Sequence, residues 1–213
     1  MDDSVEKKVV IDQGMRTERE ETIKNHEEDS RIVKPSSSLI VLIPSILVAI
    51  VILVRNVTIL DYAHVLLGGT WTGIDLFMGL ILSRVMSKMP VGARIEFIKR
   101  LVPMMLFLMP TIASLAITCG IYLATYEGVF RLSYPVIIAA GIIVIVLVVQ
   151  GFAIFLPNEL RIFLELRKTS PDSKKISRLA MINFKLSGIQ AAFQFAIIFV
   201  MANIATGNLF LRF

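Results

Sequence analysis

The sequence predicts an all-α fold, a polytopic membrane helix bundle with five transmembrane helices. Hydrophobic residues make up 55% of the chain, mean hydropathy is +0.74, and only 18% of residues are charged, whereas soluble domains carry about 25% charged residues. From residue 38 onwards, long apolar stretches alternate with short charged ones. A helix satisfies every backbone polar group within one segment, which a bilayer core demands.

The apolar stretches place one extra helix before a four-helix core. The extra helix is expected at Leu39–Val54, with Pro44 in its first turns, and is short for the ~20 residues of a bilayer crossing unless flanking residues extend it. The core helices are expected at Ile59–Ser83, Leu101–Thr125, Tyr134–Pro157 and Leu179–Ile204. Residues 38–213 are therefore predicted to form the transmembrane domain.

Residues 1–37 are predicted to form a polar cytoplasmic tail that is flexible unless packed by a partner. They hold seven basic and ten acidic residues, so the net charge of +5 arises elsewhere and does not indicate nucleic-acid binding. No cleavable signal peptide is expected, because the first apolar run begins only at Leu39. Cys119 is the only cysteine, which excludes a disulfide within the chain.

The distribution of basic residues predicts the orientation. Eleven Lys and Arg residues lie between the second and third helices and between the fourth and fifth, and three lie on the opposite side. Cytoplasmic loops carry the excess of such residues. The chain is thus predicted to lie in the cell membrane with its N-terminus in the cytoplasm and its C-terminus outside.

The second predicted helix carries a polar face. Gly68, Trp71 and Asp75 follow His64 at offsets of 4, 7 and 11, which at 100° per residue lie within about 40° of it. Such a face packs towards the bundle interior. His64 is either a ligand of haem iron or another metal through one ring nitrogen, or a donor to a neighbouring carbonyl near the headgroups. Trp71 packs against other helices or a flat cofactor.

A second candidate feature is an intramembrane charge pair. Asp75 lies ~13 Å and Lys185 ~10 Å from the predicted cytoplasmic end of their helices, at 1.5 Å per residue. An ion pair would offset both desolvation costs; alternatively, Lys185 extends to the cytoplasmic surface. Ser187, Gln190 and Gln194 share one face of the fifth helix and are expected to make interhelical hydrogen bonds.

The motif His64-x6-Trp71-x-Gly73 at the start of an apolar helix resembles the first helix of HemJ-type protoporphyrinogen oxidases and of related CopD-like membrane proteins. Phe97–Leu101 and the helix end Thr118–Leu123 continue the similarity. The resemblance implies that residues 60–213 form the four-helix core. It also implies that His64 binds haem b. Gly68 and Trp71 are predicted to lie beside that haem because they share the helix face of His64. The family's third core helix carries a lysine, and Tyr134–Pro157 has no ionisable residue.

Three functions are compatible with these features. The first is a haem-binding protein of membrane redox chemistry, and the second is a non-catalytic accessory subunit of a membrane complex. The third is a carrier of a small solute or of protons. The expected partners are the lipid bilayer and either other membrane subunits or further copies of the chain, without nucleic acid. No phosphate loop, helical His–Glu metal motif or matched nucleophile and base is present, so a hydrolase is not indicated.

Overall fold

The computed structural model describes Arg16 and residues 35–208, and over that range the chain is helical without strands. The five helices are α1 (Pro35–Val54), α2 (Val57–Lys88), α3 (Val91–Tyr126), α4 (Pro135–Leu166) and α5 (Ser173–Ala205). The last four are long and apolar enough to cross a membrane, and α1 adds a shorter apolar segment, Ser38–Val54. The predicted all-α membrane bundle is confirmed. The predicted tail lies almost entirely outside the described residues.

The link between α1 and α2 is short because of its backbone conformation. Arg55 has a positive φ of 55°, which ends α1 directly after Val54. Asn56 then caps α2, its side chain accepting a hydrogen bond of 3.1 Å from the amide of Ile59. The first helix therefore begins four residues before the predicted Leu39, at Pro35, and gains none after Val54.

The long helices extend beyond the predicted spans into the basic segments. Helix α3 begins at Val91, ten residues before the predicted start at Leu101, and α4 continues past Pro157 to Leu166. Helices of 32–36 residues are about 48–54 Å long, whereas the hydrocarbon core is about 30 Å thick. The predicted spans stop near the first charged residues. The helices continue through these residues, because a helix outside the bilayer can carry charged side chains.

Two of the long helices contain a π-helical segment. The segment in α2 is Phe77–Leu82 and the one in α4 is Gln150–Phe155. In α4, Pro157 follows the segment, and proline removes a backbone donor and displaces the preceding turn. Asn183 of α5 donates a 3.3 Å hydrogen bond to the carbonyl of Phe155 there. Such local widening of an α-helix is frequent at functional sites.

The interior of the bundle is divided by polar residues near its middle. An apolar cluster around Met86, Ile98 and Ile176 fills the end that carries the basic residues. A smaller cluster around Val136 and Val200 fills the other end of α4 and α5. Trp71 packs between them with residues of α3 and α4, next to the polar side chains described below.

Candidate intramembrane binding site

Asp75 is the most deeply buried carboxyl group of α2, with 1% of its surface exposed. Gln194 of α5 donates a hydrogen bond of 2.9 Å from its Nε2 to the Asp75 Oδ2. Ser187, Gln190 and Trp71 also lie beside this carboxyl group in the cavity wall. A polar group buried in an apolar bundle needs such partners, because its desolvation otherwise costs several kcal/mol, about 2–7. Asp75 is thus the centre of a hydrogen-bonded group linking α2 to α5.

Helix α5 presents the matching polar face. Its buried members are spaced by four, three and four residues: Asn183, Ser187, Gln190 and Gln194. The interhelical hydrogen bonding expected of Gln194 is confirmed by its bond to Asp75. Asn183 was missed from the sequence, although it lies one helical turn before Ser187 on the same face. It accepts from Asn158 Nδ2 at 3.0 Å, which also ties α4 to this group.

A cavity lies beside Asp75, between α2, α3, α4 and α5. Its polar wall consists of Trp71, Asp75, Glu159, Asn183, Ser187 and Gln190, and the rest is apolar, with methionines and phenylalanines prominent. The cavity has a volume of about 60 Å³ for water-sized molecules. One water needs about 10–15 Å³ by that measure. The cavity therefore has room for a small solute.

Glu159 of α4 brings a second carboxyl group to the cavity. It is partly buried and interacts electrostatically with Asp75. No hydrogen bond or ion pair to its carboxyl group occurs within the described part of the chain. Sequence reasoning missed Glu159 because it ended the fourth helix at Pro157, two residues earlier.

The buried polar atoms without a hydrogen-bond partner are mostly acceptors. Among the described residues they are Gln150 Oε1, Gln190 Oε1, Gln194 Oε1 and Arg94 Nε. Gln190 is 3% exposed and lines the cavity. Buried amide oxygens are rarely left unsatisfied in proteins. Of these residues, Gln190 alone lines the cavity, and it adds one unpartnered acceptor to the cavity wall.

The predicted ion pair between Asp75 and Lys185 is not found. Lys185 is exposed, and no ion pair between described residues includes it. Nine residues separate Lys185 from Gln194, which places them about 180° apart on α5. Since Gln194 faces Asp75, the ammonium group of Lys185 is on the opposite side of the helix. Asp75 and Lys185 lie at similar depths along their helices. They do not form an ion pair because Lys185 is on the side of α5 opposite to the one that faces Asp75.

His64 faces α3, separately from the Asp75 group. Its Nδ1 lies 2.9 Å from the carbonyl oxygen of Ala116, and because a carbonyl only accepts, Nδ1 carries the proton. The ring lies against Gly120, where an added Cβ would be 2.8 Å from the His64 Cε1. The carbonyl bond is the one expected of a hydrogen-bonded interface histidine. It equally leaves Nε2 with a free lone pair, as in histidines that bind metals.

The other residues predicted to surround a haem are only partly consistent with one. Gly68 has open space where a Cβ would stand. Trp71, however, is buried in an apolar cluster with Ile112, Ala113, Ala116 and Leu147, and it lines the cavity near Asp75. Within residues 35–208, no group of three or more His, Cys, Asp or Glu side chains could hold a metal ion. Of the three residues predicted to surround a haem, His64 alone has a side chain that could be an axial ligand.

Comparisons with protein families, with curated proteins and with solved structures return no match to this chain.

Proposed function

We propose that this chain is a multi-pass membrane protein that binds a small solute in the cavity between its four long helices, as a small-solute carrier does. The observation that carries this proposal is the buried Asp75 in the cavity wall, held by side chains of α5. Ionisable groups within membrane helices are costly and commonly belong to substrate, ion or proton pathways.

The interruptions of α2 and α4 support the same proposal. The two π-helical segments border the cavity through Met78 in α2 and through Gly151, Phe152 and Phe155 in α4. Non-regular backbone within a membrane is tolerated where it is buried in protein or lines a cavity. Interrupted helices near the middle of the bundle form the substrate sites of many transporters.

The proposed orientation follows from the basic residues. The chain lies in the cell membrane with its N-terminus in the cytoplasm and its C-terminus outside, since the basic segments adjoin the α2–α3 and α4–α5 connections. The cavity is then closer to the cytoplasmic end of the bundle, because Glu159 is two residues from Arg161.

The test is a screen of small cationic, anionic, zwitterionic and neutral solutes for thermal stabilisation of the purified protein. A ligand that binds the native state raises its melting temperature in a saturable way. Gly151 lines the cavity, with open space where a Cβ would stand, so Gly151→Leu should abolish the stabilisation by filling the site. Gly69→Leu is the matched control, because Gly69 is exposed and outside the cavity. Absence of any saturable stabiliser would favour the accessory-subunit hypothesis.

A second candidate function is haem binding at His64, supported by the proton on Nδ1 that leaves Nε2 free for iron. A bound haem would supply electron-transfer chemistry. The Ala116 carbonyl would orient the His64 ring, and His64 would hold the haem. Protein purified from its native membrane should then show a Soret band, which His64→Ala should abolish or shift while insertion is unchanged. A wild-type spectrum without haem bands would reject this candidate and leave the cavity proposal intact.

A further inference from the structure

The cavity lining includes hydrogen-bond acceptors that have no partner among the described residues. The Glu159 carboxyl group has no hydrogen-bond partner among the described residues, and neither does the Oε1 of Gln190, which is 3% exposed. The neighbouring amide donors are already used, because Asn183 Nδ2 bonds to the carbonyl of Phe155 and Gln194 Nε2 bonds to Asp75. A ligand that matches this wall must donate hydrogen bonds.

The cavity also combines two carboxyl groups with no basic side chain. Asp75 and Glu159 both line it. No Lys, Arg or His side chain lines it among the described residues, and Lys185 is on the opposite face of α5. A cation bound beside two buried carboxyl groups stabilises their ionised forms, because it offsets both their desolvation and the repulsion between them. The two carboxyl groups therefore favour a cationic ligand.

The remaining lining selects an apolar body of limited size. Met78, Met105 and Met109 provide a flexible apolar surface, and Trp71 and Phe152 provide aromatic rings. Methionine adapts to ligand shape, and aromatic faces attract cations. The cavity volume of about 60 Å³ exceeds the roughly 10–15 Å³ that one water requires, so the cavity admits a ligand of several heavy atoms.

We propose that the cavity binds a small primary alkylammonium ion, with its ammonium group donating to Glu159 and to the Oε1 of Gln190 and its alkyl chain among the methionines. Asp75, already hydrogen-bonded to Gln194, contributes its carboxyl group and holds α5 in place. This inference rests on the proposed function and names the class of its ligand.

The experiment uses the single tryptophan as a reporter, because Trp71 lines the cavity. Its emission is followed during titration of the purified full-length protein with butylammonium, butanol, butyrate and butyltrimethylammonium, which share one alkyl chain. Butylammonium should give a saturable change. The other three should bind at least tenfold more weakly, because they lack the charge, carry the opposite charge or lack N–H donors, respectively. Equal or tighter binding of butanol, butyrate or butyltrimethylammonium would overturn the proposal.

Two matched variants locate the binding. Glu159→Gln should weaken butylammonium binding at least tenfold, whereas Glu96→Gln should leave it unchanged, because Glu96 is exposed and paired with Arg100. Unchanged affinity in Glu159→Gln would refute the assignment, and Gln190→Leu provides the same test if Glu159→Gln does not fold. If butylammonium fails while another solute in the stabilisation screen depends on the cavity, the ligand class is wrong and the proposed function stands. If no solute binds, both fail.

Discussion

Asp75 of α2 and Gln194 of α5 are joined by a hydrogen bond of 2.9 Å although 119 residues separate them in the chain. Both side chains are 1% exposed. Gln194 presents its Nε2 to Asp75, and its Oε1 has no hydrogen-bond partner among the described residues. One amide thereby fixes the rotation of α5 relative to α2, and with it the polar wall of the cavity.

This bond should be detectable as energetic coupling. Gln194→Leu and Asp75→Leu should each lower stability in detergent. The double variant should lose less than the sum of the two, with a coupling energy on the order of 0.6–1.7 kcal/mol. Thermal unfolding of the four proteins provides the measurement, and Lys185→Met is the control expected to have little effect. Strict additivity would show that the two residues are not coupled.

The same two helices approach each other most closely at Gly79 and Gly188. A Cβ on Gly79 would clash with the backbone of Gly188 and lie 3.0 Å from the carbonyl carbon of Ser187. Gly79→Ala should therefore cost about 1–3 kcal/mol, because the helices must separate. Gly188→Ala should be milder, since its Cβ would lie 3.6 Å from the Gly79 Cα.

Gly69→Ala is the control for this series, because a Cβ at Gly69 meets nothing within 4 Å. Thermal unfolding in detergent should rank the three variants in the order Gly79, Gly188, Gly69, from the largest loss to the smallest. A Gly79→Ala protein as stable as Gly69→Ala would show that α2 and α5 are not in close contact there.

The α4–α5 connection is held by a buried carboxylate. The Oε2 of Glu165 is 2.9 Å from the Nζ of Lys168 and 2.6 Å from the Nζ of Lys175, and its side chain is only 5% exposed. Glu165→Gln should lower the melting temperature several times more than Glu96→Gln, because the Glu96–Arg100 pair is solvent-exposed and such pairs contribute little. Equal losses in the two variants would contradict this role.

The elements that the sequence predicts well depend on apolar periodicity and on spacing within one helix. The five helices and the polar faces of α2 and α5 follow from such local patterns. The Asp75–Lys185 pair was wrong because depth along two helices does not specify their relative rotation. Glu159 was missed because the predicted fourth helix ends at Pro157, whereas α4 continues to Leu166. The cavity itself arises from four helices packed together, which no spacing within one helix encodes.

The orientation stays a prediction with a direct test. Ser170 lies in the α4–α5 connection and Ser133 in the α3–α4 connection, and both are exposed. In a Cys119→Ser background, Ser133→Cys should react with an impermeant thiol reagent added to intact cells, and Ser170→Cys should react only after lysis. Reaction of Ser170→Cys from outside would reverse the proposed topology.

The central claim, that the cavity is a ligand-binding site, is tested most directly by chemical modification at Gly151. Gly151→Cys in the Cys119→Ser background should react with methyl methanethiosulfonate, and a solute identified by the stabilisation screen should slow this reaction at saturating concentration. Ser170→Cys, exposed in the α4–α5 connection, should react at the same rate with and without that solute. If the solute protects neither position, or protects both equally, the ligand is not in the cavity and the account is contradicted.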